Sequence, residues 1–390
     1  MRAVTCTDGV FELVERPTPR PGPGQLLLDV HACGICGSDL HARAHADEFA
    51  ATVAEVGYDG MFRSTQPTVM GHEFAGVVVE HGPRTRGYHE PGQRVVSFPL
   101  LRRGADVHLT GLSPAADGGF AERVLVEEAM TFAVPDGLPT EVAALTEPMA
   151  VALHAVRRSD IGRRQVAVVV GCGPVGLGVI AMLKASGVRT VIASDLSAGR
   201  RALATACGAD VVVDAASASP FDTARTHGHL TTASQLFELA VGSMEKLRRV
   251  PVVPWESIWK LADRTGATTP KHPVVFECVG APGMIEQIVS TAPFRARVVV
   301  VGVCMEADRF RPGMAINKEI DLRFVLGYTP GEFRETLQWL ADGRVASAPL
   351  LTGRVGLEGV DDAFTVLGAA ADHAKILVDP RSGAATVQPL

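Results

Sequence analysis

The sequence predicts an α/β protein in which a β-rich domain is followed by a doubly wound parallel sheet. The chain has 390 residues, more than one hydrophobic core usually holds, so two domains are expected. Short apolar runs separated by glycine and proline fill residues 1–150, whereas apolar strands alternate with helical segments between residues 166 and 328. Such alternation is typical of a parallel sheet with helices on both faces.

Each part of the chain supplies its own strand candidates. In the β-rich part they are residues 25–30, 74–80, 93–98 and 121–126. A helical stretch at 141–158 leads to candidate strands that begin near residues 166, 190, 210, 273, 296 and 321, the number found in a complete dinucleotide-binding domain. From residue 329 helix and strand alternate again, and we expect this tail to rejoin the first domain.

Composition narrows the classes of function. The chain has 37 Lys and Arg against 43 Asp and Glu, a net charge of −6, which argues against a nucleic-acid-binding protein. No apolar run is long enough for a membrane span, and the first residues lack the apolar stretch of a signal peptide. Seven scattered cysteines favour thiols or metal ligands over disulfides. A cytoplasmic enzyme is the class that these features favour.

A glycine-rich turn predicts a nucleotide site. The segment Gly171-Cys172-Gly173-Pro174-Val175-Gly176 follows an apolar strand and opens an apolar helix. Glycines let the backbone approach a pyrophosphate, which then lies at the positive helix N-terminus. Asp195 ends the next strand, where a carboxylate can accept hydrogen bonds from the adenosine ribose of NAD. The alternative is a strand-to-helix turn without a nucleotide.

Four residues of the first part could ligate a metal ion. Cys36, His72, Glu73 and Glu147 offer the thiolate, imidazole and carboxylate groups that zinc prefers, and three protein ligands with one open position are typical of a catalytic zinc. The separations between them are long, and each residue alone also fits a buried thiol, a turn histidine or a helix-start carboxylate. From the residues alone, a metal site and its absence are about equally supported.

Motifs along nearly the whole chain then point to one family. They are PGPGQLLLDV, CGICGSDLH, GHEFAG, GQRV, GGFAE, EPMAV, GCGPVG and VVFECVGAP, in this order. The sequence resembles the zinc-dependent medium-chain alcohol dehydrogenases, in particular the sorbitol and threonine dehydrogenase branch. The resemblance implies a GroES-like β domain at 1–150 and 329–390, with a Rossmann NAD-binding domain at 151–328 that carries an insertion at about 215–272.

The resemblance also implies roles for individual residues. Zinc would lie among Cys36, His72, Glu73 and Glu147, and which glutamate binds directly differs among relatives. Ser38 would accept the proton of the alcohol and pass it through a ribose hydroxyl of the cofactor toward His41; Glu73 is also counted with the catalytic residues. The positions expected to contact NAD are Gly171, Gly173, Pro174, Val175, Gly176, Asp195, Arg200, Val279 and Val301. Relatives form homo-dimers or homo-tetramers, and we expect one of these states.

Departures from the family pattern add further expectations. The stretch between Val95 and Gly118 lacks the four cysteines that hold a second zinc in many relatives, so one zinc per chain is expected. Cys33, which forms C-x-x-C with Cys36, is interpreted as an uninvolved thiol. The sequence reads Leu-Gly-Tyr at 326–328, without the Arg of many polyol dehydrogenases, which weakens the case for a sugar alcohol.

Two long connections bear on the substrate. Residues 42–66 and 215–272 exceed the family pattern and contain Phe49, Phe237, Trp255 and Trp259, so we expect a bulky apolar or aromatic alcohol. The alternative is that these side chains pack onto the body of the protein or form a subunit contact, which is at least as well supported for 215–272 because that segment belongs to the cofactor domain. The segment 42–66 follows the loop of the metal ligands and is the better candidate for shaping substrate entry. Two other functions are weighed: a zinc-free NADPH-dependent reductase of enones or quinones, and a non-catalytic protein that binds NAD or zinc.

Overall fold

The computed structural model describes residues 1–250, 254–369 and 373–390 of the chain. Its first part is β-rich. Along the chain the elements are β1 (Arg2–Thr7), β2 (Val10–Glu15), β3 (Gln25–Gly34), α1 (Gly37–Ala44), α2 (Ala46–Glu55), β4 (Thr68–Val69), β5 (Glu73–His81), β6 (Arg94–Ser97), β7 (Leu100–Arg103), β8 (Asp106–Leu109), β9 (Arg123–Glu127), β10 (Thr131–Ala133), α3 (Thr140–Ala143) and α4 (Thr146–Arg158).

The second part alternates strands and helices. Its elements are β11 (Val166–Val170), α5 (Pro174–Ala185), β12 (Thr190–Asp195), α6 (Ala198–Ala206), β13 (Val211–Asp214), α7 (Ala233–Arg248), α8 (Trp255–Arg264), β14 (Val274–Glu277), α9 (Met284–Thr291), β15 (Arg297–Val300), α10 (Pro312–Lys318) and β16 (Asp321–Phe324). The final elements are α11 (Pro330–Ala341), β17 (Leu351–Val355), α12 (Val360–Ala369) and β18 (Lys375–Val378).

The second part forms the predicted parallel sheet. Its strand order is β13-β12-β11-β14-β15-β16, and every neighbouring pair is parallel. The order reverses between β12 and β14, on either side of β11, which is the topological switch point where ligands of such sheets bind. Valine and isoleucine runs dominate these strands because both faces of the sheet are covered by helices. The prediction of the fold class is confirmed.

The first part and the tail share one sheet. Strands run in the order β10-β6-β5-β3-β18-β17, and β9 also pairs with β3. β18 lies antiparallel to the carboxyl end of β3, with Leu377 opposite Gly34 and Val378 opposite Cys33. The last strands of the chain are thereby brought next to the loop that begins at Ile35. This pairing places tail residues beside the predicted metal ligands.

The two long connections are ordered in different ways. Residues 42–66 contain α2 and pack inward: Met61 and Phe62 are buried in the core of the first domain, and Phe49 and Tyr58 lie against it. The Tyr58 hydroxyl accepts a hydrogen bond from the Leu109 backbone N–H at 2.9 Å. Helices α7 and α8 of the second connection contain no buried residue. No helix in the described parts of the chain is long and apolar enough to span a membrane.

Candidate active site

Three of the four predicted metal ligands lie together. Cys36 directly precedes α1, while His72 and Glu73 stand at the start of β5, which pairs with β3 just before Cys36. One ligand atom from each of these residues lies within 4.8 Å of the other two. His72 and Glu73 are buried, so the donors face one another away from bulk solvent. Thiolate, imidazole and carboxylate at this separation fit a zinc ion.

Asp39 fixes two of these ligands. It is fully buried, and its Oδ2 accepts a hydrogen bond from the Cys36 backbone N–H at 2.9 Å. Its Oδ1 lies 3.3 Å from Nδ1 of His72, which leaves Nε2 of the ring for the metal side. Burial lowers the pKa of His72, but the Asp39 carboxylate outweighs it and raises that pKa well above the ordinary value. Burial raises the pKa of the Cys36 thiol, and the charge of Glu73 adds to this effect.

Lys375 is a residue of this site that the sequence analysis missed. Its Nζ contacts both carboxylate oxygens of Glu73, at 2.7 and 2.8 Å, and donates to the carbonyl of Ile35 at 2.9 Å. The residue is 3% exposed. A buried carboxylate needs such a partner because an isolated charge is costly in an apolar surrounding. The feature of the sequence that could have indicated this residue is a lysine at the start of an otherwise apolar strand, Lys-Ile-Leu-Val.

Glu147 has a different partner. It lies in the first turn of α4, and its Oε1 accepts a hydrogen bond from the Tyr328 hydroxyl at 2.7 Å. Burial raises the pKa of Glu147 to about 7. The cluster within 4.8 Å comprises Cys36, His72 and Glu73, so the structure places Glu147 beside that cluster and outside it. Tyr328 also packs against the rings of Phe98 and Phe333, with centroids 4.7 and 5.7 Å away.

The two predicted proton-transfer residues lie on α1. Ser38 Oγ is 3.3 Å from Nε2 of His72, so the hydroxyl faces the ligand cluster. His41 follows three residues later and is exposed, which puts it nearly one helical turn farther along, at the protein surface. The helix therefore carries one hydroxyl at the site and one imidazole in contact with water.

The glycine turn opens α5 at the switch point of the parallel sheet. A Cβ at Gly176 would collide with the Gly171 carbonyl, whereas nothing lies within 4 Å of a Cβ at Gly173. Among the described residues no side chain caps the N-terminus of α5, so the backbone N–H groups of its first turn after Pro174 are left for a ligand. The other predicted contacts, Val279 and Val301, follow β14 and β15 at the same edge of the sheet. This arrangement fits a dinucleotide.

Asp195 ties the turn to the second strand. Its Oδ2 accepts from the Cys172 backbone N–H at 2.7 Å, and its Oδ1 accepts from the Ser197 N–H at 2.8 Å. Each carboxylate oxygen has a further lone pair for a ribose hydroxyl. Arg200 lies in the first turn of α6, and its buried Nε has no hydrogen-bond partner within the described ranges.

With this geometry in place, comparisons with known proteins identify the family. Residues 22–136 match the alcohol dehydrogenase GroES-like domain, and residues 174–342 match the zinc-binding dehydrogenase domain. The chain is 31% identical over 372 residues to (R,R)-butanediol dehydrogenase of Bacillus subtilis, covering 93% of this chain and 94% of that protein. The chain belongs to the zinc-dependent medium-chain alcohol dehydrogenases.

Further members of the family agree with this assignment. Sorbitol dehydrogenase of Bos taurus is 29% identical over 91% of this chain and 89% of its own. The crystal structure of 2R,3R-butanediol dehydrogenase from Bacillus subtilis has a TM-score of 0.73 and 28% identity, covering 97% of this chain and 99% of that one. A zinc-binding dehydrogenase from Sinorhizobium meliloti bound to NADP has a TM-score of 0.72 and 28% identity, with coverage of 97% and 99%. The protein is accordingly a dehydrogenase.

The expected number of zinc ions and the expected substrate class depend on the positions of further residues. The region between Val95 and Gly118 contains the hairpin of β7 and β8, and within the described residues Cys36, His72 and Glu73 form the only cluster of three potential ligands. Phe49 packs against the first-domain core, Phe237 and Trp259 are 66% and 40% exposed, and Trp255 is half-buried on α8. These positions do not support the argument that the aromatic residues of the two connections line a substrate pocket.

Proposed function

We propose that the protein reversibly oxidises an alcohol to an aldehyde or ketone, with hydride transfer to NAD. The observation that carries the proposal is the cluster of half-buried Cys36 with buried His72 and Glu73, beside which Glu147 lies. Cys36, His72 and Glu73 would hold one zinc ion, which would supply Lewis-acid chemistry that favours deprotonation of an alcohol near neutral pH. One ion per chain is proposed because the cysteine lobe for a second ion is missing.

The chain's own residues handle the proton. Ser38, 3.3 Å from the His72 ring, is placed to accept a proton from a hydroxyl bound at the cluster. His41 on the same helix is exposed and can return that proton to water. Asp39 and Lys375 keep His72 and Glu73 in fixed orientations, so that the ligand cluster needs little rearrangement.

NAD is proposed over NADP. The Asp195 carboxylate lies at the carboxyl end of β12 and keeps acceptor capacity for ribose hydroxyls. The same charge would repel a 2′-phosphate. The presence of Arg200 is compatible with a preference for NAD as long as Asp195 is present. From the family resemblance we also propose that the protein forms a homo-oligomer and is located in the cytoplasm.

The proposed substrate is a bulky apolar or aromatic alcohol. Its support is the aromatic group next to Glu147, in which Phe98 and Tyr328 are both half-buried. A vicinal diol is the second candidate, because the similar proteins of Bacillus subtilis and Bos taurus are a butanediol and a sorbitol dehydrogenase. Tyr328 without a neighbouring Arg favours the first candidate.

An absorbance assay tests these proposals. Purified protein with NAD should form NADH when given benzyl-type secondary alcohols, with a higher kcat/KM than for 2,3-butanediol or sorbitol. Cys36→Ala serves as the negative control. A higher kcat/KM for 2,3-butanediol or sorbitol would favour a vicinal diol over a bulky apolar alcohol as the substrate. NADPH-dependent reduction of enones by zinc-free protein, without alcohol oxidation, would contradict the proposed reaction.

A further inference from the structure

Glu147 and His154 of α4 each contact the segment that begins at Tyr328 and continues into α11. Glu147 and His154 are seven residues apart on α4, so they lie on the same face two turns apart. Tyr328, two residues before α11, donates to Oε1 of Glu147 at 2.7 Å. Glu332, in the first turn of α11, has its Oε2 3.0 Å from Nδ1 of His154. One short segment therefore contacts both residues of α4.

Glu332 also fixes the backbone beside Tyr328. Its Oε2 accepts hydrogen bonds from the Thr329 backbone N–H at 2.8 Å and from the Thr329 hydroxyl at 3.0 Å. Because Thr329 directly follows Tyr328, these contacts hold the peptide bond that joins the two residues. Glu332 is 6% exposed, so water competes little for its oxygens. The Tyr328–Thr329 peptide bond and the stretch of α4 between Glu147 and His154 close these contacts into a ring through Glu147, His154, Glu332, Thr329 and Tyr328.

We propose that Glu332 and His154 are positioning residues that act through Tyr328 on Glu147. The ring holds the Glu147 carboxylate next to the Cys36, His72 and Glu73 cluster but outside it. A catalytic zinc keeps one position open for substrate, and a free carboxylate this close would be able to fill it. The ring keeps that position available for the alcohol. This inference rests on the proposed function, since the open position matters only for a bound substrate.

Zinc release tests the ring without an activity measurement. When the Tyr328 contact is lost, Glu147 becomes free to join the cluster. Because an added carboxylate ligand holds the ion more tightly, the rate of zinc transfer to a chelator should fall by about tenfold. We expect this result for Tyr328→Phe and for Glu332→Ala. Because the two act in one chain of contacts, the double variant should release zinc no more slowly than either single variant. In cobalt-loaded protein both single variants should show the same change in the visible absorption bands.

Glu335→Ala is the matched control. Glu335 lies on the same helix, is half-buried and pairs with Arg157 of α4 at 2.6 Å. Arg157 also lies 3.8 Å from Oε1 of Glu332, but Glu335 itself takes part in none of the contacts that form the ring. It should release zinc at the wild-type rate. If Glu332→Ala folds poorly, His154→Leu removes the same contact from the α4 side and must also slow release. Release by Glu332→Ala or His154→Leu at the rate of the Glu335→Ala control would overturn the inference.

Activity measurements distinguish a failure of this inference from a failure of the proposed function. In steady-state assays Tyr328→Phe and Glu332→Ala should lower kcat about tenfold, as expected for an obstructed metal position. KM for NAD should not change, because the cofactor turn lies elsewhere. If zinc release follows the expected pattern but the wild-type protein oxidises no alcohol, the proposed function is contradicted and the role of the ring in holding Glu147 still stands. A normal kcat in both variants would overturn the ring and leave the function intact.

Discussion

The metal cluster and the cofactor turn are assembled in opposite ways. The cofactor turn is local: residues 171–176 and Asp195 come from two successive strands and the helix between them, and backbone N–H groups make its contacts. The metal cluster draws buried charged side chains from segments hundreds of residues apart, such as Glu73 and Lys375. Local sites depend on turn geometry, whereas assembled sites depend on pairing between distant strands. Variants at one site should therefore leave the other intact.

The largest effect is expected from removal of the thiol ligand. Cys36→Ala leaves two ligands, so zinc should be lost, along with its contribution of several kcal/mol to transition-state stabilisation, or about 1,000-fold in kcat/KM. NADH binding, followed by fluorescence titration, should be unchanged because β11 and β12, which flank α5, belong to the other sheet. Cys33→Ala is the control, since this buried thiol is outside the cluster. Loss of zinc from Cys33→Ala would show that Cys33 is a ligand.

This comparison also explains what the sequence could predict. The glycine turn has a contiguous pattern with a physical cause at each position, so its residues could be named from the sequence alone. Lys375 could not be assigned to Glu73 because the pairing of β18 with β3 brings residues 302 positions apart together. The Tyr328 contact with Glu147 depends likewise on how α11 packs on α4. The position of Phe237 could not be read from the sequence either, because an aromatic side chain on a helix fits a pocket, the protein core or a subunit contact; in the structure it is exposed on α7.

Breaking the Glu73–Lys375 pair should test how the metal cluster is held together. In zinc-free protein Lys375→Met leaves a buried carboxylate without a partner, which typically lowers the free energy of unfolding by about 3–5 kcal/mol. Urea denaturation measures this change. The double variant Lys375→Met with Glu73→Gln removes both charges and should recover part of the loss. A loss of under about 1 kcal/mol in the single variant would mean that the pair contributes no more than an exposed one.

At the cofactor turn, a charge change should alter selectivity and spare the metal. Asp195→Ser removes the carboxylate that would repel a 2′-phosphate, and Arg200 can then approach that group. The ratio of kcat/KM for NADP to that for NAD should rise about 100-fold, equivalent to roughly 3 kcal/mol. Zinc content, measured by elemental analysis, should stay at the wild-type value. Wild-type protein that already prefers NADP would show that Asp195 does not have the proposed role.

A change of pH should alter zinc affinity and leave NADH affinity nearly constant, and per pH unit this effect is smaller than those of the substitutions. In the proposed site zinc would bind the Cys36 thiolate and neutral His72. Both groups have raised pKa values, the first mainly through burial and the second through Asp39 against the opposing effect of burial. Binding must therefore displace protons, so zinc affinity should increase at least about tenfold per pH unit between pH 6 and 8. NADH affinity, measured over the same range, should change by less than about twofold, because backbone N–H groups do not titrate. A zinc affinity that stays constant from pH 6 to 8 would mean that Cys36 and His72 are already deprotonated before the metal arrives.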